Sequence, residues 1–92
     1  MFYTYILYSP SFNRTYVEQT NNLSNRLEYH NSGKVKSTKA YKPWKIIYSE
    51  SFESRAESMK REKWLKSTNG RKFIHILLIQ QSETNGLSAP FQ

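Results

Sequence analysis

The 92-residue chain has no cysteine. This excludes disulfides and thiolate chemistry, fits a reducing compartment, and makes a cytoplasmic location the expectation. Aspartate is also missing: the seven acids are Glu18, Glu28, Glu50, Glu53, Glu57, Glu62 and Glu83. A site with two metal ions bridged by clustered carboxylates is therefore poorly supplied. Histidine is limited to His30 and His75, too few for a structural zinc site without cysteine. The composition would allow a Ser–His–Glu triad, but no motif points to one. No apolar run approaches the roughly 20 residues that cross a bilayer. The first residues also lack the basic segment, apolar stretch and cleavage site of a signal peptide.

What the chain does have is positive charge. Fourteen basic residues against seven acidic ones give a net charge of +7 and a pI near 9.8. Twelve of the fourteen lie between Lys34 and Lys72. Such clustering points to a polyanionic partner, nucleic acid first and acidic lipid second. The lipid reading is disfavoured because the basic helix lacks a broad apolar face. The length suits one domain with a compact core. Seven Tyr, five Phe and two Trp can supply that core.

Residues 2–9 are aromatic and β-branched and read as a strand. Pro10-Ser11-Phe12-Asn13 is turn chemistry, and residues 14–20 read as a second strand completing a hairpin. Asn21 or Asn22 can cap a helix over 22–31, with Leu23 and Leu27 as its apolar stripe and Gly33 as its stop. Residues 34–43 are basic and irregular, and 44–49 read as a third strand. Ser54 and Glu57 form a capping-box pattern for a helix over 54–67, with Ala56 and Met59 as a short stripe extended by Phe52. Gly70 breaks the pattern. Over 71–79 the Phe73/Leu77 and Ile74/Leu78 spacings favour helix. The expected fold is α+β, in the order β-β-α-β-α-α. The domain spans 1–79, and a mobile polar tail spans 80–92.

Two strand tyrosines, Tyr5 and Tyr16, each read alone as packing residues with surface hydroxyls. On paired strands their hydroxyls can converge, and a phenol beside a cation can serve as a base. Arg26 and His30 share one helix face, four residues apart. Arg26 is either a phosphate fork or a solvated surface residue; His30 is either a proton shuttle or a complement to the helix dipole. Glu62 lies among Lys60, Arg61 and Lys63, one turn after Met59. It is either a salt-bridging residue or a lone ligand for Mg²⁺, with phosphate and water completing the shell. In the Lys34–Lys45 segment, lysines alternate with Tyr41 and Trp44. Lys36, Lys39 and Lys42, with Lys63 downstream, are the candidate phosphate contacts.

In order and spacing these residues resemble the GIY-YIG nuclease domain. The similarity is greatest to small stand-alone bacterial proteins related to the N-terminal nuclease domain of the excision-repair endonuclease. Thr4-Tyr5-Ile6 corresponds to the first motif and Tyr16-Val17-Glu18 to the second. The likeness continues through Gln19–Leu23, Arg26-Leu27, His30–Gly33, Ser37-Thr38-Lys39, Tyr41-Lys42-Pro43-Trp44 and Arg61-Glu62-Lys63. It implies a three-stranded antiparallel sheet flanked by helices. It also implies a phosphodiester hydrolase dependent on a single Mg²⁺ or Mn²⁺, with DNA as substrate, in repair or DNA processing. By position, Tyr5 and Tyr16 match the motif tyrosines, Arg26 the phosphate-binding arginine and Glu62 the metal ligand, and His30 falls near the site. A monomer or weak dimer without a small-molecule cofactor or a membrane is expected.

The second motif departs from the family at Glu18, where glycine is usual. Glycine allows unusual backbone angles and close approach to substrate. A glutamate there can repel DNA, displace the metal or become an extra ligand. Gln19 likewise replaces a lysine. The alternative reading is therefore a catalytically impaired nucleic-acid-binding module on the same fold.

Overall fold

A computed structural model describes residues 1–84. They fall into two compact units, Met1–Glu62 and the residues from Lys63 onward. The elements are β1 (Phe2–Ser9), β2 (Arg14–Thr20), α1 (Leu23–Asn31), a 3₁₀ turn (Lys39–Tyr41), β3 (Lys45–Phe52), α2 (Arg55–Leu65) and α3 (Thr68–Thr84). This is the expected α+β order. The sheet is antiparallel with β1 in the centre, in the order β2-β1-β3.

The register assigns the side chains to faces. Tyr5 pairs with Glu18 on β2 and Ser49 on β3; Thr4 pairs with Gln19 and Glu50; Leu7 pairs with Tyr16. Successive residues point to opposite sides of a strand. One face therefore carries Tyr5, Leu7, Tyr16 and Glu18, and the other carries Thr4, Ile6, Gln19, Tyr48 and Glu50. The irregularity between Ile6 and Leu7 is absorbed on β3, which runs past its expected end to Phe52 because Glu50–Phe52 still find partners on Phe2–Thr4.

On the first face, buried Tyr5, Leu7 and Trp44 form the core, against which Tyr16, Leu23, Leu27, Tyr41 and Ile46 pack. Burying a leucine such as Leu7 contributes about 1.5–3 kcal/mol. The Asn22 side chain caps α1 by accepting from the Asn25 amide at 3.1 Å. The helix stops in a Schellman motif: Lys34 N–H donates to the Tyr29 carbonyl, Gly33 N–H donates to His30, and Gly33 sits at φ +80°. Trp44 precedes β3 and is fixed from two sides. The Asn31 carboxamide accepts from its amide at 2.6 Å and donates to its carbonyl at 3.0 Å, while its indole N–H donates to the Thr38 carbonyl at 2.9 Å.

The second face holds α2 by polar contacts. Thr4 Oγ1 donates to the Ser58 carbonyl at 2.6 Å, and Arg55 donates to Gln19 Oε1 at 2.9 Å. The expected apolar stripe differs in the structure: Ala56 and Met59 are exposed, and the buried residues of α2 are Ser58 and, at its C-terminal end, Leu65. The row beneath the helix, Thr4, Gln19 and Glu50, is polar, so the helix turns a polar face toward it.

In the second unit, Gly70 does not break the helix. It lies inside the first turn of α3, where a β-carbon would run into the Trp64 carbonyl and the Leu65 backbone. The Trp64 and Phe73 rings meet edge-on at 6.2 Å. With no Gly or Pro between Phe73 and Thr84, α3 runs through residues 80–84 of the stretch expected to be a tail. The rest of that stretch lies outside the described residues. Among the described residues no helix is long and apolar enough to cross a membrane.

Candidate active site

Strand pairing sets Tyr5 beside Glu18, and α1 lays Arg26 and His30 over the same face, one helical turn apart. All the cluster's charge converges on the Glu18 carboxylate. Arg26 grips it with a fork, Nε to Oε1 at 2.9 Å and Nη2 to Oε2 at 2.9 Å. The Tyr5 hydroxyl donates to Oε1 at 2.5 Å. Behind Tyr5 lies His30, with no exposed surface, its Nε2 3.1 Å from the Tyr5 oxygen and its Nδ1 2.8 Å from Thr38 Oγ1. Tyr16 flanks the histidine, ring centroids 5.3 Å apart, and its hydroxyl makes no hydrogen bond among the described residues.

The proton positions follow from counting donors. Tyr5 has one proton and gives it to Glu18, so its oxygen accepts from His30, which must carry a proton on Nε2. Burial holds the His30 pKa below the ordinary histidine value, and the Arg26 charge adds to that, against an opposing pull from Glu18. His30 is therefore neutral, and Nδ1 accepts from the Thr38 hydroxyl. The hydrogen bonds run one way: Thr38 to His30 to Tyr5 to Glu18.

The other titrations agree. Burial pushes Tyr5 far above the ordinary phenol value, and its hydrogen bond to Glu18 pushes the same way. Burial alone would raise Glu18, but hydrogen bonds from Arg26 and Tyr5 and the Arg26 charge outweigh it, leaving the carboxyl below its ordinary value. The hydrogen bond to Glu18 raises Arg26. A carboxylate, a guanidinium, a neutral imidazole and a neutral phenol together leave the cluster without net charge.

A related cluster occupies the opposite face. Tyr48 donates to Glu50 Oε2 at 2.6 Å, and Arg61 grips Glu50 through Nε at 2.9 Å and Nη2 at 3.4 Å.

The structure thus brings Tyr5, Tyr16, Arg26 and His30 together. Arg26 is a paired fork rather than a solvated residue, and buried neutral His30 is not a cation complementing the helix dipole. Lys36, Lys39 and Lys42 are exposed between α1 and β3, and Lys63 is exposed on α2. Glu62 is half-buried on α2; its neighbour one turn back on the buried side is Ser58, since Met59 is 52% exposed. Among the described residues no group of three or more His, Cys, Asp or Glu could hold a metal ion. Sequence reading missed Thr38 as the partner of His30. Its only signal was its place in Ser37-Thr38-Lys39, and the bond spans an irregular segment.

Comparison with known proteins places these features in a family. Residues 1–74 match the GIY-YIG catalytic domain. A UPF0213 protein of Pediococcus pentosaceus is 38% identical over 88 residues, covering 95% of this chain and 86% of the relative. The UPF0213 protein YazA of Bacillus subtilis is 38% identical over 61 residues, 65% of this chain and 62% of the relative. The solution structure of the UPF0213 protein BH0048 from Bacillus halodurans aligns over 84% of this chain and 85% of that one, at 28% identity and a TM-score of 0.49.

Proposed function

The chain belongs to the GIY-YIG family, in the group of small UPF0213 bacterial proteins, and from that membership we propose that it is a divalent-metal-dependent endonuclease acting on DNA. One observation carries this reading: Tyr5, Tyr16, Arg26 and His30 converge around a guanidinium fork that already holds an oxyanion. A phosphodiester presents a comparable pair of oxygens to such a fork.

The geometry supports the following roles. Arg26 binds non-bridging phosphate oxygens and stabilises the charge that grows on them during attack. Tyr5 is a hydrogen-bond donor and not a base, because burial and its carboxylate neighbour keep its proton on. Tyr16, with its hydroxyl unengaged, is the tyrosine left to bind and help deprotonate the attacking water. His30 holds Tyr5 in place and fixes the direction of its proton. Lys36, Lys39, Lys42 and Lys63 contact neighbouring phosphates.

Members of this family generally depend on a divalent metal. A chain that offers one candidate carboxylate, Glu62, suits a hard cation that keeps water and takes phosphate oxygens, rather than a cage made of protein alone. When bound, such an ion would neutralise phosphate charge.

A second reading is favoured by a specific observation: the Glu18 carboxylate occupies both arms of the fork. A nucleic-acid-binding module with impaired catalysis would show this. A plasmid-nicking assay in Mg²⁺ or Mn²⁺ separates the two. For the endonuclease, the natural chain nicks supercoiled DNA, Glu62→Gln abolishes nicking while keeping the fold, and changing Lys36, Lys39 and Lys42 together to Glu weakens DNA binding. Binding without metal-dependent nicking would leave the module; nicking unaffected by Glu62→Gln would remove Glu62 as the ligand.

A further inference from the structure

The seat filled by Glu18 has a definite chemistry. One carboxylate oxygen accepts from Arg26 Nε and the Tyr5 hydroxyl, with His30 Nε2 at 3.4 Å; the other accepts from Arg26 Nη2. That donor set, a fork plus one hydroxyl, is also suited to two oxygens of a phosphate. Its rear wall of Tyr5, His30 and Thr38 is fully buried, whereas the Glu18 and Arg26 side chains are 22% and 31% exposed. The Glu18 side chain reaches solvent, so its carboxylate can leave by side-chain rotation while the backbone pairing of β2 with β1 stays intact.

We propose that Glu18 is an internal stand-in for a nucleic-acid phosphate, so that the site rests closed and opens only when a substrate phosphate displaces the carboxylate from Arg26 and Tyr5. The inference rests on the reading that Arg26 receives a phosphate. It assigns Glu18 a role in specificity. A ligand that binds only the open form has its affinity reduced by the fraction of molecules that are open. A free phosphate or a single nucleotide bears that penalty in full. A polynucleotide already held by the exposed lysines presents its phosphates to the seat at high effective concentration and overcomes it. Glu18 thereby turns a general phosphate site into one that admits phosphates on a polyanion.

The exchange also explains how a carboxylate is tolerated where the family has glycine. With Glu18 in place, Arg26 and Tyr5 are satisfied and the cluster is neutral. With phosphate in place, the same donors are satisfied by the ligand, and Glu18 turns to water.

The test is binding of a dinucleotide phosphodiester, followed by calorimetry and by the Arg26 Nε–H resonance, in the natural chain, Glu18→Gln, Glu18→Gly, Glu28→Gln and Glu18→Gln/Arg26→Gln. Glu28 is exposed on α1, so Glu28→Gln makes the same charge change away from the seat. The expected result is dinucleotide affinity roughly 10–100-fold higher in Glu18→Gln than in the natural chain. Glu28→Gln changes it by no more than about twofold, and the gain disappears with Arg26→Gln. Glu18→Gly restores the residue of the family and gives the same gain should glutamine still occupy the fork. The proposal is overturned when both position-18 variants, folded by their amide spectra, bind no more tightly than Glu28→Gln. Nicking is scored separately. Arg26-dependent nicking without a gain in binding removes the stand-in role and leaves the endonuclease; a gain in binding with no variant able to nick does the reverse.

Discussion

The two faces of the sheet carry the same three side chains in nearly the same geometry. Tyr5–Glu18–Arg26 lies on one face and Tyr48–Glu50–Arg61 on the other, each with a phenol donating to a carboxylate that an arginine grips by Nε at 2.9 Å. Exposure is similar, 22% for Glu18 and 29% for Glu50. The difference lies in where the parts come from and what stands behind them. Tyr48 and Glu50 are two residues apart on one strand, and Arg61 reaches them from α2, so the cluster straps a helix to a sheet. Tyr5 and Glu18 come from two strands and Arg26 from α1, and a buried His30–Thr38 pair backs the phenol. A motif of charge and phenol is therefore not a functional signature by itself. What marks the first cluster is a neutral histidine with no exposed surface and a second tyrosine with an unengaged hydroxyl.

The sharpest way to break this comparison is to remove each arginine. Arg26→Ala should lower nicking by about 10²–10³-fold, the loss typical of removing a group that stabilises developing negative charge. Arg61→Ala should instead cost about 1–2 kcal/mol of stability by leaving Glu50 half-buried without its fork, with nicking far less affected when assayed well below the melting temperature. Plasmid nicking and thermal melts on the same preparations decide it. Equal loss of nicking in both variants would mean that the clusters do not differ in kind.

Much of this contrast was legible in the sequence where the determinants are local. The hairpin follows from alternating aromatic and β-branched residues around Asn13, which adopts φ 52°. The ends of α1 follow from Asn22 and Gly33, whose roles need only their neighbours. Arg26 and His30 share a face because helical geometry fixes it. Non-local features were hidden. That Glu18 stood where glycine was expected was plain, but its pairing with Tyr5 depends on strand register, and its capture by Arg26 on the angle at which α1 crosses the sheet. The polar docking of α2 ran against its apolar pattern because the row beneath it, Thr4, Gln19 and Glu50, is assembled from three strands. Gly70 read as a helix breaker, yet its lack of a side chain serves close approach to Trp64 and Leu65, a requirement that no local pattern announces.

Removing the phenolic oxygens tests the comparison at smaller amplitude. Tyr5→Phe takes away the acceptor of His30 Nε2–H in a fully buried position and a donor to Glu18. A buried donor left without a partner costs about 1–3 kcal/mol. The Tyr48 hydroxyl is only half-buried, so water can replace it as donor to Glu50, and Tyr48→Phe should cost about 0.5–1 kcal/mol. Urea unfolding of both variants gives the difference directly. A larger loss for Tyr48→Phe would show that the strap, not the histidine-backed cluster, is the more tightly coupled of the two.

The smallest effect separates the clusters by pH. Burial keeps the folded-state pKa of His30 below its ordinary value of 6.5, so as pH falls through that value the unfolded chain takes up a proton that the folded chain refuses. Stability therefore declines below about pH 6.5 and stops declining once His30 is protonated in the folded state. The folded-state pKa of Glu18 is lowered from 4.5. Its contribution is complete above that value and is lost as pH falls from there through the folded-state pKa. The first cluster should thus give an acid limb in two parts, an upper part from His30 and a lower one from Glu18. Melting temperatures across the acid range should show His30→Gln flattening the upper part and Glu18→Gln flattening the lower. Because the Glu18 charge partly supports protonation of His30, Glu18→Gln should also extend the upper part to lower pH. Glu50→Gln removes a carboxylate from the other face, where it has no contact with His30, and should leave the upper part unchanged. If Glu50→Gln reshapes that upper part as Glu18→Gln does, the two faces are electrostatically one site, and the distinction between strap and seat fails.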